Sequence, residues 1–318
     1  MLERLPLLAV AVVGVPAVLV GYIVAAEYSL RVLPRRWRPR VRPWLWVGPA
    51  LLLVIAFLVY PTLRTIWISL QDKSGAFVGL TNYTDLLQES GIQIAIRNNV
   101  FWIVFFTLAV IVFGLAMAIL ADRVRYESQA KSFIFLPQAI SFVGAGVIWK
   151  FMYDYRPPGE PQTGTLNAII TTFGSEPHPW IIESPTNNFA LIAAAVWVWV
   201  GFAMVILSAA LKGIPVELLE AARVDGATER HVFRHITLPL LMPTIVVITT
   251  TLAIFALKAF DIVYVMTNGA YDTEVMALRM YKDMLFNTPR AAAVAVMLLV
   301  VTIPVILINT RERRRGAV

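Results

Sequence analysis

The 318 residues are 58% apolar and 15% charged, with a mean hydropathy of +0.72. No water-soluble domain of this size covers so much apolar surface with polar groups, so a soluble enzyme is excluded. The net charge is +7 and cysteine is absent, which excludes disulfide and thiolate chemistry and says nothing of compartment.

The apolar excess falls into seven charge-free runs, at 5–26, 44–63, 100–121, 132–149, 189–211, 238–257 and 291–310. Each is near the ~20 residues that a helix needs to cross hydrocarbon. Lipid cannot satisfy open backbone, and the runs are too long for barrel strands, so the sequence predicts seven transmembrane helices.

The cations set the orientation. Six arginines lie between the first two spans (Arg31, Arg35, Arg36, Arg38, Arg40, Arg42), and Arg123, Arg125 and Lys131 follow the third. Lys212, Arg223, Arg230 and Arg234 precede the sixth, and Arg311, Arg313, Arg314 and Arg315 follow the seventh. These fall in alternate connections, on the face that the positive-inside rule makes cytoplasmic. The opposite connections hold Arg4, Lys73, Arg97, Arg156, Arg279, Lys282 and Arg290. The expected topology therefore has the N-terminus outside and the C-terminus in the cytoplasm. Placed this way, the basic residues serve orientation and anionic lipid headgroups, and nucleic acid is not expected as a partner. The first run can also be read as a secretory signal, since it is N-terminal and ends near Ala25 and Ala26; its basic cluster follows the apolar run instead of preceding it, which favours a membrane anchor.

Three external segments, 65–99, 151–188 and 259–290, are too short for separate domains. The second holds Pro157, Pro158, Gly159, Pro161, Gly164, Pro177 and Pro179, a composition that predicts irregular structure against the helices. The connection at 212–237 differs. Pro215 suits a first helical turn, Glu217 and Glu220 lie toward the N-terminal half, and Gly226 can close the helix in a left-handed conformation, so a helix is expected over 215–225. Thr228 is expected to cap a second helix with Val232, Phe233 and Ile236 on one face. The small residues Ala221, Ala222 and Ala227 would let another protein approach the backbone closely.

Catalytic signatures are missing. The sequence contains no phosphate-binding loop, no H-E-x-x-H and no Cys/His cluster of metal-ligand spacing. His178, His231 and His235 are read as loop residues, and the i, i+4 pair lacks a third ligand, so no metal site is expected. No carboxylate lies inside any of the seven runs, as a proton-coupled transporter would require. Asp261, three residues from Lys258, is expected to form a local ion pair.

Glu220-Ala221-Ala222, three residues, Gly226, nine residues, then Ile236-Thr237-Leu238-Pro239 resembles the EAA loop of ABC importer permeases, E-A-A-x3-G-x9-I-x-L-P. With Asp225-Gly226-Ala227, the string over 214–243 is similar to the carbohydrate branch, of maltose and α-glucoside permease type. Phe77-Val78-Gly79-Leu80 with Asn82-Tyr83, Phe135-Leu136-Pro137, and Phe260-Asp261 with Tyr264-Val265-Met266-Thr267 agree with it. The resemblance covers 44–310. It implies an all-α polytopic transmembrane bundle: a six-helix type I importer permease core over 44–318, with its EAA loop at 212–239, and one extra N-terminal helix with its basic linker over 1–43.

The resemblance further implies an inner-membrane complex with a second permease subunit, two ATPase subunits and an extracytoplasmic sugar-binding protein. ATP and Mg would be bound by the ATPase, and no cofactor by this chain. Glu220, Ala221, Ala222, Asp225, Gly226, Ala227, Ile236, Leu238 and Pro239 would couple it to the ATPase. For the sugar path the matching stretches point to Gln138 and Phe142; to Trp197, Val200, Gly201 and Met204; and to Phe255, Lys258 and Ala259. Sugar rings offer apolar faces to aromatics and hydroxyls to amides and charges. Only one of Trp197 and Trp199 can face inward on a helix. The sixth span has Phe255-Ala256-Leu257-Lys258-Ala259 where maltose permeases carry asparagines, so its ligand hydrogen bonds must differ. The alternatives are a permease for another polar solute such as glycerol phosphate, a secondary transporter or channel, and a membrane-anchored sensor using the same cytoplasmic hairpin.

Overall fold

A computed structural model describes residues 5–315; Arg4, counted above among the outer cations, lies outside them. The described chain is helical, with one isolated antiparallel bridge between Gln71 and Phe77. In chain order the helices are α1 (Leu5–Val32), α2 (Arg38–Ser69), α3 (Thr81–Gln88), α4 (Ser90–Ala121), α5 (Glu127–Ala139), α6 (Phe142–Met152), α7 (Thr165–Thr172), α8 (Thr186–Lys212), α9 (Val216–Val224), α10 (Glu229–Leu257), α11 (Asp261–Met266), α12 (Met276–Phe286) and α13 (Thr288–Arg315). The seven apolar runs lie in α1, α2, α4, α5 with α6, α8, α10 and α13. Of these, α2, α4, α8 and α10 are each long and apolar enough to cross a membrane, and α5 with α6 makes up to a fifth.

The fourth run departs from expectation, because it is two helices bent by 99° and not one rod. Pro137 sits in a tight 3-10 turn, Ile140 and Ser141 are extended, and the Ser141 hydroxyl accepts from the Gly144 amide at 3.0 Å, starting a new helix. The third span also begins ten residues early, at Ser90. Ile92 and Ala95 are buried there, and Asn98 and Asn99 give the helix polar anchors that a hydropathy count does not register. The external stretch 151–188 contains α7 besides its irregular turns. Asn167 organises it, donating to the carbonyls of Asp154 and His178 and accepting from the Trp180 indole.

The chain forms two compact units, 1–65 and 66–318. In the first, the arginine-rich turn is tied to its own helices. Arg38 donates to the carbonyls of Leu33 and Arg31, Arg42 meets Glu27 at 3.2 Å, and the Tyr22 hydroxyl donates to the Leu45 carbonyl. Cations over the last carbonyls of a helix complement its dipole.

In the second unit α8 is the axis, burying Leu191, Ala194, Ala195, Val198, Ala203, Met204 and Leu207. Small residues bring its neighbours in. A Cβ added at Gly114 of α4 would stand 2.7 Å from the Ala203 Cβ, and one at Gly201 would stand 2.6 Å from the Phe135 Cα of α5. Where lipid is as apolar as the side chains, this close packing is what holds helices together. At one end of the unit, buried amides bind the loop 267–275. Asn98 donates to the carbonyls of Asp272 and Glu274, Asn99 donates to those of Ala256 and Leu257 and accepts from the Met276 amide, and Asn187 donates to that of Tyr271.

Candidate functional site: an exposed hairpin and an aromatic closure

The helix over 215–225 forms as α9, with Pro215 at its N-cap position. Gly226 has φ +82°, its amide donates to the Arg223 carbonyl at 3.0 Å, and the Ala227 amide donates to the Ala222 carbonyl at 3.0 Å. That pair of bonds is the Schellman ending, which needs a left-handed residue at the glycine position. Arg223 then grips the Glu229 carboxylate with Nε and Nη2 at 2.7 and 3.3 Å, stitching α9 to α10 across the turn.

α9 buries none of its residues, and Val216, Leu218 and Val224 are exposed apolar side chains. Glu220, Ala221, Asp225 and Gly226 are exposed, while Ala222 and Ala227 are half-buried. The second helix contrasts with it: Val232 and Thr237 are buried, Phe233, Ile236 and Leu238 are half-buried, and Pro239 is exposed, so this segment roots the hairpin in the bundle.

Two local expectations are corrected. Thr228 holds the extended N-cap conformation, but its hydroxyl makes no cap bond; its carbonyl instead accepts from His231 and Val232. His231 and His235 are helical, because α10 starts at Glu229, and their rings stack at 4.0 Å.

The residues matched to the sugar path separate into groups. Phe142 of α6 and Phe255 of α10 lie 5.1 Å apart, centroid to centroid, and Trp199 of α8 joins both, at 6.2 Å nearly parallel to Phe142 and 4.8 Å from Phe255. Phe106 of α4 adds its edge to Trp199 at 6.5 Å, and Trp102 lies one turn along, 6.0 Å from Phe106. Four helices thus each supply a ring to one cluster. Beside it, Trp102, Phe142, Phe255, Ala259 and Asp261 line a cavity of about 10 Å³, room for about one water. The cluster is closed to anything the size of a sugar.

Trp197 and Val200 lie elsewhere, in an apolar groove of about 440 Å³ lined also by Phe113, Met117, Phe133 and Pro137. Two residues apart on a helix, Trp197 and Trp199 point to different faces. Gly201 is taken up by its contact with α5 and Met204 is fully buried in the core. Lys258 is exposed at the C-cap of α10, and no ion pair joins it to Asp261 among the described residues. The helix ends between them, so their spacing is not a helical one. Asp261 instead opens α11, where the helix dipole favours its charge.

Trp102 and Phe106 are the members of this cluster that the motif matching does not include, and their i, i+4 aromatic spacing is the available signal; Trp199 is weighed there against Trp197. The indole nitrogens of Trp102 and Trp199 and Oε1 of Gln138 are buried without a hydrogen-bond partner.

A family model described as "Binding-protein-dependent transport system inner membrane component" matches residues 111–315. The chain is 50% identical over 271 residues to the osmoprotective compounds uptake permease protein GgtC of Synechocystis sp., covering 84% of this chain and 97% of that one. It is 45% identical over 280 residues to the alpha-glucoside transport system permease protein AglF of Rhizobium meliloti, covering 86% and 83%. Among solved structures, a bacterial ABC transporter involved in the import of the acidic polysaccharide alginate has the same fold, with a TM-score of 0.76 at 22% identity over 89% of this chain and 99% of that one.

Proposed function

Because the chain belongs to the family of binding-protein-dependent transport system inner membrane components, we propose that it is the membrane-spanning permease of an ATP-driven importer that passes a sugar of the α-glucoside type across the inner membrane by alternating access. It is not itself an enzyme; the ATPase is a separate chain. The observation that carries this reading is α9, a helix closed by its own Schellman turn yet with no buried residue, which leaves Val216, Leu218 and Val224 exposed. Such a helix is a plug for another protein's socket.

In this reading α9 and the turn at Gly226 sit in a cleft of one of two ATPase subunits, which bind ATP and Mg. A second permease completes the path, and an extracytoplasmic binding protein delivers the sugar. The N-terminus lies outside and the C-terminus in the cytoplasm. The core begins near residue 44, after an extra helix and basic linker. Closure of the ATPase pair swings the hairpins, and the aromatic cluster opens and closes in turn. The relatives named for α-glucosides and for trehalose and maltose, together with the rings and open indole donors of the cluster, support a sugar as the cargo.

The test is uptake of radiolabelled trehalose and maltose by proteoliposomes holding this chain, its partner permease, ATPase and binding protein. Uptake that needs both ATP and the binding protein is expected. Uptake driven by an ion gradient without ATP would reject the reading in favour of a secondary transporter.

A further inference from the structure

At the end of the unit that carries α9, five polar side chains from three helices form one network. Lys131 of α5 meets Asp122, at the end of α4, at 2.6 Å, and also contacts Glu127 of its own helix and Ser208 of α8. Ser208 donates to Asp122 at 2.9 Å. Glu127 is shared, because Lys212, the last residue of α8, also donates to it. Lys131 and Asp122 are 17% and 23% exposed and Glu127 30%, so these three charges interact with less screening than a surface pair, whereas Lys212 is 54% exposed.

The position of this network gives it a mechanical meaning. Only residues 213–215 separate Lys212 from α9, so a force on α9 reaches Lys212 almost directly. α8 touches α5 at a second point, the backbone contact of Gly201 with Phe135, seven residues from Ser208 and eleven from Lys212, or roughly 10 to 16 Å along the helix. The Lys131–Ser208 bond ties α5 to α8 between these points, and Glu127 extends the tie to Lys212, beside α9. α5 in turn runs into Pro137 and the 99° break that carries Phe142, whose ring lies over Trp199.

We propose that Glu127 is a positioning residue for coupled transport: by holding Lys212 and Lys131 together it makes α5 follow α9, so that movement imposed by the ATPase reaches the aromatic closure. The inference rests on the importer reading above. Without the bridge, the Lys131–Ser208 bond still joins α5 to α8, but the grip on Lys212 beside α9 is lost, so α5 follows α9 less closely and more ATP is hydrolysed for each sugar moved.

The test is sugar transported per ATP hydrolysed, for the whole complex in proteoliposomes with radiolabelled trehalose. Lys212 is half-exposed, so Lys212→Gln removes the charge at little cost to folding; Glu127→Gln removes the shared acceptor. Both are expected to lower the ratio by about fivefold or more, the size of an ordinary coupling energy between sites, and Lys212→Arg, which keeps the bridge, is expected to hold the wild-type ratio. A merely structural bridge would change the yield or melting temperature of the complex and leave the ratio alone; an unchanged ratio in both glutamine variants overturns the relay. Equal loss in Lys212→Arg and Lys212→Gln also overturns it. A wild-type complex with no ATP-driven uptake would overturn the importer reading and the relay with it.

Discussion

The ring of Phe255 lies 4.8 Å from the indole of Trp199, tilted by 52°, and the two belong to α10 and α8, which the chain connects through α9. This contact closes the centre of the bundle. The Trp199 indole nitrogen finds no partner within it, so the closure leaves a donor unsatisfied that a sugar hydroxyl could fill. Trp199→Ala is therefore expected to raise the KM for sugar uptake by about fivefold, since an aromatic face against a sugar contributes on the order of 1 kcal/mol. Trp197→Ala, in the apolar groove, is expected to leave KM unchanged. Uptake kinetics of the two variants in parallel check this, and the reverse order would move the path to the other face of α8.

Asn99 ties the end of α10 to the start of α12 with one side chain, donating to the carbonyls of Ala256 and Leu257 and accepting from the Met276 amide. Asn99→Leu is close in volume but leaves two carbonyls and an amide to find other partners. Each such buried loss costs about 1 to 3 kcal/mol. The expected outcome is a clear fall in melting temperature of the detergent-solubilised protein; a melting temperature equal to wild type would show that water or the lipid interface replaces the amide.

The chain has no cysteine, so a single introduced thiol reports its own side of the membrane. Ser175 is exposed in the stretch before α8, and Thr228 is exposed at the start of α10. Ser175→Cys is expected to react with a membrane-impermeant maleimide added outside intact cells, and Thr228→Cys only after the membrane is opened, because arginine and lysine crowd the connections on the Thr228 side. Reversed labelling would reject the proposed orientation and the access of α9 to an ATPase together.

What was legible in the sequence follows from which interactions are local. The apolar runs are spans because hydrocarbon enforces length residue by residue, and the ending of α9 at Gly226 could be read because a Schellman turn is built from neighbours. The face of α8 could not. It is apolar on all sides, so no periodicity tells Trp197 from Trp199; the backbone approach at Gly201 and Gly114 decides the phase, and that is a tertiary fact. The 99° break was half visible in Pro137, yet hydropathy counts through a bend. The early start of α4 was hidden because Asn98 and Asn99 look like solvent-facing residues until the distant carbonyls of Ala256, Leu257, Asp272 and Glu274 come to meet them.

The turn after α9 offers a graded test of the coupling hairpin. Gly226 sits at φ +82° with nothing within 4 Å of where a Cβ would stand, so substitutions there are penalised by the backbone and not by a clash. Asparagine tolerates the left-handed region best among the other residues, alanine less, and a β-branched side chain least. The expected order of ATPase retention on co-purification is therefore glycine, then Gly226→Asn, Gly226→Ala and Gly226→Val, with a cost of about 1 kcal/mol or more by alanine. Because α9 buries nothing within its own chain, membrane abundance should stay near wild type across the series while sugar uptake falls in the same order. Variants that keep the ATPase and transport normally would show that the hairpin does not depend on this turn. A series in which abundance falls in step with uptake would instead make Gly226 a folding residue and remove the coupling role from it.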